Sequence, residues 1–136
     1  MESGYLLVET HPRLPGMVRL RHDSRPPATS SPELCFAARF EDIDAAMMHA
    51  HEGLRRRLVD VNQRLYRSDV TTAVAIADAV ELPHRRTYLA AELAADPDLQ
   101  AAISRLHARH RRWERFFDAV GIAALILLLV LSVLGI

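Results

Sequence analysis

The residue types best suited to bind copper or haem iron occur in one short segment, Met47–His51, which reads Met-Met-His-Ala-His. Thioether and imidazole groups are ligands for both metals. In a helix, His49 and His51 project about 200° apart and cannot share one ion, whereas in a strand they would lie on one face. The surrounding pattern predicts a helix, and the sequence marks no third or fourth ligand. We therefore predict that this segment binds no metal.

A second pair of histidines, His107 and His110, is three residues apart and shares one face of a predicted helix. Two imidazoles with this spacing can join a metal site. The arginines around them in the sequence repel a cation, so we interpret the pair as part of a solvated basic face. A pH-sensitive contact with lipid is the alternative.

Three acids, Glu41, Asp42 and Asp44, have the composition of a Mg²⁺ or acid–base site. They also stand at the start of a predicted helix, where negative charge complements the helix dipole, and that role explains them. Cys35 is the only cysteine and lies between two apolar residues, which predicts a buried, inert thiol in a reducing compartment. None of the five glycines belongs to a phosphate-binding loop. We predict no catalytic activity and no cofactor.

The segment from Ala119 to Ile136 contains no charged side chain. As a helix it is about 27 Å long, close to the thickness of a bilayer's hydrocarbon core, so we predict a single transmembrane helix over 119–136. A buried core helix is the alternative, but Leu125–Leu131 is apolar on every side and would need protein all around it. Because the N-terminus lacks the features of a secretory signal, we expect insertion after synthesis, as in tail-anchored proteins.

The residues just before this segment predict its orientation. We expect the following to lie at the membrane interface: Arg105, Arg109, Arg111, Arg112, Trp113, Arg115, Phe116 and Phe117. Positive flanks stay on the cytoplasmic side, so we predict a cytoplasmic N-terminal domain and a C-terminus across the membrane. Anionic lipid headgroups are the expected partners of the arginines. All 17 basic residues are arginine, a bias that indicates a GC-rich bacterial genome and hence a bacterial inner membrane.

Residues 1–95 predict one small cytoplasmic α+β domain that contains a loop over 23–33. The predicted strands are Tyr5–Thr10, Met17–His22, Leu34–Phe40 and Arg85–Leu89, and the predicted helices run from about Ala45 to Leu58 and from Ser68 or Asp69 to about Glu81. Val61–Arg67 fits a strand or a helix end. An all-α domain with an irregular N-terminus is the alternative. Residues 1–100 carry 12 arginines and 15 acids, which argues against a nucleic-acid partner.

Asp96-Pro97 predicts the start of a long stem helix over 96–118 that continues into the transmembrane helix. Its apolar residues alternate at spacings of four and three, the pattern of a helix that pairs with another helix. The predicted partner-helix contacts are Leu99, Ile103, Leu106, His110, Trp113, Ala119 and Ala123. Docking of the stem on the chain's own domain is the alternative.

These features predict a non-catalytic, single-pass accessory or assembly subunit of a larger membrane complex, with other subunits as partners. The alternative is a membrane-tethered cytoplasmic regulator or adaptor. A membrane-bound enzyme or metal carrier that uses Met47–His51 ranks third, because no further metal ligand is marked.

Overall fold

The computed structural model describes residues 1–136 and has an α+β fold, so the all-α alternative is wrong. The chain divides into two compact units, residues 1–104 (unit 1) and 105–136 (unit 2). The strands are β1 (Gly4–Thr10), β2 (Met17–Asp23), β3 (Leu34–Phe40), β4 (Leu58–Asp60), β5 (Leu65–Arg67) and β6 (His84–Leu89). The helices are α1 (Ile43–Leu54), α2 (Val70–Asp78), α3 (Ala91–Ala94) and α4 (Pro97–Val133).

The strands form one antiparallel sheet in the order β4-β5-β2-β1-β3-β6. The β1–β2 hairpin closes through Gly16, whose φ of 76° is readily adopted only by glycine. β1 lies between β2 and β3 and is apolar on both faces, since Leu6, Leu7 and Val8 are all fully buried. The four predicted strands are confirmed: β1 and β6 each start one residue earlier than predicted, and β2 ends one residue later.

One face of the sheet, the closed face, is covered by α1 and α2, which contact β1, β2 and β3. Phe36, Phe40 and Tyr66 are buried among its residues. The two helices approach each other closely at Gly53, where an added Cβ would lie 2.5 Å from Cγ2 of Ile76. This face holds most of the core of unit 1.

Both helices on this face begin at an aspartate that caps the helix. Asp42 accepts a hydrogen bond from the Ala45 amide at 3.1 Å, and Asp69 accepts one from the Thr72 amide at 3.0 Å. These side chains satisfy amides that have no partner within the helix. Hydrogen bonds with Thr72 and the charge of Arg57 outweigh the opposing effect of burial and hold the pKa of Asp69 below its usual value.

The helix expected to reach Leu58 ends at Leu54 instead. Arg55–Arg57 form a 3₁₀ turn, and Leu58 begins β4, which pairs with β5. Leu58 was predicted as the last residue of the helix, but its pairing with β5 makes it the first residue of a strand. The second helix ends at Asp78, three residues before the expected end, and α3 was not anticipated.

Helix α4 begins at Pro97, as predicted, with the Asp96 carboxylate accepting a hydrogen bond from the Asp98 amide at 2.9 Å. It ends at Val133, and Gly135 follows with a φ of 69°. This helix is long and apolar enough to cross a membrane, and its apolar part is not buried.

Candidate functional sites

The second face of the unit 1 sheet, which we call the open face, presents rows of side chains that the strand register aligns. Directly opposed residues of antiparallel strands project to the same side. From β2 to β6, one row contains Asp23, Tyr5, Arg39 and Arg85, and the next contains Arg21, Leu7, Ala37 and Tyr88. Arg19 lies opposite Glu9 in the third row, and Arg67 lies opposite Met17 in a fourth. The open face is therefore rich in arginine.

A buried carboxylate holds two of these arginines. The side chain of Glu9 is only 10% exposed, and its two oxygens accept from different guanidinium groups. Arg19 Nη2 donates to Oε2 at 2.9 Å. Arg21 donates from Nε to Oε1 at 2.9 Å, and its Nη2 lies 2.8 Å from the same oxygen. Bonds between charged groups are stronger than neutral ones and fix geometry. Glu9 thus sets the direction in which both arginines project.

A recess of about 410 Å³ adjoins this triad. Its lining residues are Glu9, Thr10, His11, Pro12, Arg19, Arg21, Ser31 and Glu33. Glu33 accepts a hydrogen bond from the Ser31 hydroxyl at 2.9 Å. The two acids balance the two arginines, so the recess itself has no marked preference for an anion.

The other end of the open face has arginines without a countercharge. Arg39 and Arg85 are direct cross-strand neighbours, both exposed, and neither forms an ion pair. Like charges in this relation destabilise a sheet. Tyr5 and Tyr88 lie half-buried beside them, packed against the buried Leu7. This corner combines free guanidinium groups with tyrosine rings, both of which are common at protein interfaces.

Positive charge is concentrated on this face. The open face of the sheet carries five arginines and three acids, Glu9, Asp23 and Asp60, a net charge of +2. Unit 1 as a whole contains 12 arginines and 15 acids, so the remaining seven arginines and twelve acids leave −5 elsewhere. Unit 1 therefore has a positively charged open face, while the rest of the unit is negatively charged.

The structure keeps the Met47–His51 segment helical, as predicted. His51 Nδ1 lies 2.6 Å from the hydroxyl oxygen of Tyr66, whereas His49 is exposed. Burial raises the pKa of Tyr66, with Arg64 opposing the shift. No three His, Cys, Asp or Glu side chains lie close enough together to hold a metal ion.

Cys35 is buried, and its Sγ lies 3.5 Å from the Glu33 carbonyl oxygen. Burial raises the pKa of the thiol, and the carboxylates of Glu9 and Glu92 add to the effect. A thiol with this environment is a poor nucleophile. Asp42 acts as a helix cap at the start of α1, the role predicted for the acids of this segment.

A polar cluster that the sequence did not reveal joins α2 to β6. The Asp78 carboxylate pairs with Arg86 and lies 3.3 Å from His84 Nε2. The His84 ring stacks on Phe40 with centroids 4.5 Å apart, and its Nδ1 lies 2.7 Å from the Leu82 carbonyl oxygen. Both ring nitrogens of His84 thus have an oxygen partner within the fold. We interpret the cluster as a structural link between α2 and β6.

Unit 2 contains all the predicted membrane-interface residues. Trp113 is 53% exposed and stacks on Phe117 with centroids 5.9 Å apart, while Phe116 meets Trp113 edge-on at 6.2 Å. Arg109, Arg112, Trp113 and Phe116 line a shallow groove of about 450 Å³. His107 and His110 are partly buried on the same helix.

The residues expected to contact a partner helix fall into two groups. Leu99 and Ile103 are buried within unit 1, so the chain itself covers them. In unit 2, Leu106 and His110 are partly buried, and Trp113, Ala119 and Ala123 are exposed. Pairing of this helix with a partner stays a prediction, and it rests on the residues of unit 2.

No family model matches the chain, and neither a curated protein sequence nor a solved structure does.

Proposed function

We propose that this chain is a membrane-tethered, non-catalytic adaptor whose unit 1 binds an acidic protein segment through the open face of its sheet. The observation that carries the proposal is the uneven charge of unit 1, with +2 on the open face against −5 elsewhere. Complementary charge steers a partner toward one face and excludes partners of the wrong sign. The helix of unit 2 would hold this surface at the bilayer.

The composition of the unit 1 surface supports an adaptor over an obligate subunit. Obligate interfaces are large and apolar, like a core cut in half. Besides the N-terminal Met1, the large apolar side chains that unit 1 exposes are Leu14, Met48, Val59 and Val61. These four come from a hairpin turn, a helix and the β4 region. A partner of unit 1 would meet a polar, arginine-rich face instead.

We further propose that unit 1 lies on the cytoplasmic side of the membrane. Five arginines, from Arg105 to Arg115, precede the apolar part of α4. An excess of positive charge within 15–20 residues of a span favours cytoplasmic placement. Protease accessibility of unit 1 in sealed membrane vesicles of known orientation tests the side directly.

The test of the adaptor uses the full chain in lipid nanodiscs and a fluorescein-labelled peptide of alternating Glu and Leu. A peptide of alternating Gln and Leu is the neutral control. We expect Arg39→Gln/Arg85→Gln to weaken binding of the acidic peptide about tenfold, a loss of about 1.4 kcal/mol. Arg55→Gln/Arg56→Gln removes the same charge from the exposed 3₁₀ turn and should leave affinity nearly unchanged.

Two results would refute the adaptor proposal. Equal loss in both double variants would show that only net charge matters. Equal affinity for the acidic and neutral peptides would show that the open face has no preference for acids. Circular dichroism of each variant checks that the sheet is intact.

One observation favours an accessory subunit as the second candidate. Ala119 and Ala123 are exposed and four residues apart on one helix, a spacing that permits close approach of a second transmembrane helix. Native-gel migration after gentle detergent extraction separates the two candidates, since only a subunit would migrate with a large assembly. Ala123→Leu should then disrupt the assembly more than Leu128→Ala; equal effects would count against this candidate.

A further inference from the structure

The cationic side chains of unit 2 are distributed unevenly around its helix. Successive residues of an α-helix are about 100° apart, so residues separated by three, four or seven lie on one face. Arg105, Arg109 and Arg112 share such a face with Trp113 and Phe116. We call this face the guanidinium stripe.

The helix surface beside the stripe is nearly neutral. Arg111 and Arg115 lie outside the stripe, about 140° and about 100° around the axis from its centre, and Arg115 borders it at Arg112. Glu114 and Asp118 are each three residues farther along the chain from one of these two arginines. Neighbours at this spacing lie next to each other on the helix surface, so the acids offset the arginines. The guanidinium stripe contains no acid. The positive potential of this segment is therefore one-sided.

The groove lies within the guanidinium stripe. Its lining of Arg109, Arg112, Trp113 and Phe116 places two guanidinium groups beside two aromatic rings, in a volume of about 450 Å³. Trp113 and Phe116 meet edge-to-face, with their planes 82° apart, so their edges and faces form an apolar wall. The groove is thus amphipathic along the helix axis: its arginines lie toward the N-terminal end and its rings toward the C-terminal end.

This chemistry fits one particular occupant. Guanidinium groups bind phosphate through paired hydrogen bonds, and tryptophan favours the headgroup layer of a bilayer. The uncharged part of α4 begins at Ala119, three residues after Phe116 and just past Asp118. A ligand that fits must offer a phosphate anion next to apolar chains, as a phospholipid does. An acidic peptide offers carboxylates in place of a phosphate and has no acyl chains.

We propose that the guanidinium stripe is a binding site for an anionic phospholipid, with the headgroup phosphate on Arg109 and Arg112 and the glycerol and upper acyl chains against Trp113 and Phe116. The proposal goes beyond the adaptor function, because it concerns unit 2 alone and needs only that α4 enters a bilayer. It assigns different roles to arginines that are adjacent in sequence.

Trp113 is the only tryptophan in the chain, so its fluorescence reports on the lipids next to the stripe. The full chain is placed in vesicles of equimolar phosphatidylglycerol and phosphatidylcholine, in which one or the other lipid carries brominated acyl chains that quench tryptophan. The ratio of the two quenching efficiencies measures which lipid occupies the site. We expect brominated phosphatidylglycerol to quench more strongly.

Two double variants separate a site from a general surface charge. Arg109→Gln/Arg112→Gln removes the proposed phosphate contacts, and Arg111→Gln/Arg115→Gln removes the same charge from residues outside the stripe. We expect the preference for phosphatidylglycerol to fall about fivefold or more in the first variant, since each arginine near a membrane surface has a substantial effect on binding. The second variant should change it by less than twofold.

The proposal is overturned if both variants lower the preference equally, if the wild-type chain shows no preference, or if neither brominated lipid quenches Trp113. Inorganic phosphate, added at constant ionic strength, identifies the source of the anion. It should leave the quenching ratio unchanged, and loss of the preference would show a site for soluble phosphate in place of lipid.

Discussion

The two faces of the unit 1 sheet are built from alternate residues of the same strands, yet they are stabilised differently. The closed face is stabilised by burial, with Phe36, Phe40 and Tyr66 under two helices. The open face depends on cross-strand pairs, above all Glu9 between two arginines. Substitutions on the closed face should therefore alter stability, whereas those on the open face should alter mainly charge and recognition.

The largest effect is expected for Phe36→Ala on the closed face. Phe36 is fully buried, and truncation of a buried phenylalanine costs about 3–5 kcal/mol. Tyr5→Ala on the open face should cost about 1 kcal/mol, because the ring is only half-buried. Thermal unfolding of the full chain in detergent, followed by near-UV circular dichroism of tyrosine, measures both. Similar losses would contradict the contrast between the faces.

A smaller loss, about 1–3 kcal/mol, is expected for Gly53→Ala between the helices that cover the closed face. The new methyl group would meet Cγ2 of Ile76 at 2.5 Å, and overpacking of this kind outweighs the gain in helix propensity. In an Ile76→Ala background the clash is absent, so Gly53→Ala should become neutral or stabilising. The same melting experiment tests the pair, and a loss that persists in both backgrounds would refute the steric explanation.

On the open face, Glu9→Gln should have opposite effects on stability and binding. Stability should fall by about 1–2 kcal/mol, because charged hydrogen bonds to the two arginines are weakened. Affinity for the acidic Glu-Leu peptide should rise, since the net charge of the face becomes more positive. Glu33→Gln is the matched control in the same recess and should change stability less. A fall in both stability and peptide affinity would indicate that Glu9 only maintains the fold.

The smallest effect concerns the charge of the Asp69 cap. Asp69→Ala should cost about 1 kcal/mol, and Asp69→Asn, which keeps a capping oxygen, should cost less. The pKa of Asp69 is lowered by folding, so ionisation stabilises the fold above the unfolded value of 3.8 and ceases to do so as pH falls through the folded pKa. The difference in melting temperature between wild type and Asp69→Asn should therefore shrink below about pH 4. If the difference in melting temperature stays constant with pH, the effect of Asp69→Asn comes from packing and not from the charge of the carboxylate.

The longer elements of this fold were largely predictable because each of them carries a local signal. Asp42 and Asp69 mark helix starts, and Asp96-Pro97 marks another. The end of α1 was not predictable, because Leu58 fits the helical stripe and only its pairing with Tyr66 of β5 makes it part of a strand. The local pattern alone favours a helix as far as Leu58, and the tertiary contact with β5 overrides it.

The open face could not be found from the sequence. Arg39 and Arg85 are separated by 45 other residues and become neighbours only through the β3–β6 register. Glu9 likewise meets Arg19 because a hairpin of one particular length aligns them. By contrast, the arginines of unit 2 are close in sequence and lie on one helix, so composition alone revealed them.

The strand order has a consequence for how the sheet assembles. β1, β2 and β3 are consecutive in the chain and adjacent in the sheet, so their pairing closes only short loops. β6 joins β3 after two helices and two strands have intervened, and closure of that longer loop has a larger entropic cost. β1–β3 should therefore form early as a nucleus, and β6 should dock late and detach first. Hydrogen exchange should be fastest, among the longer strands, at the amides of β6.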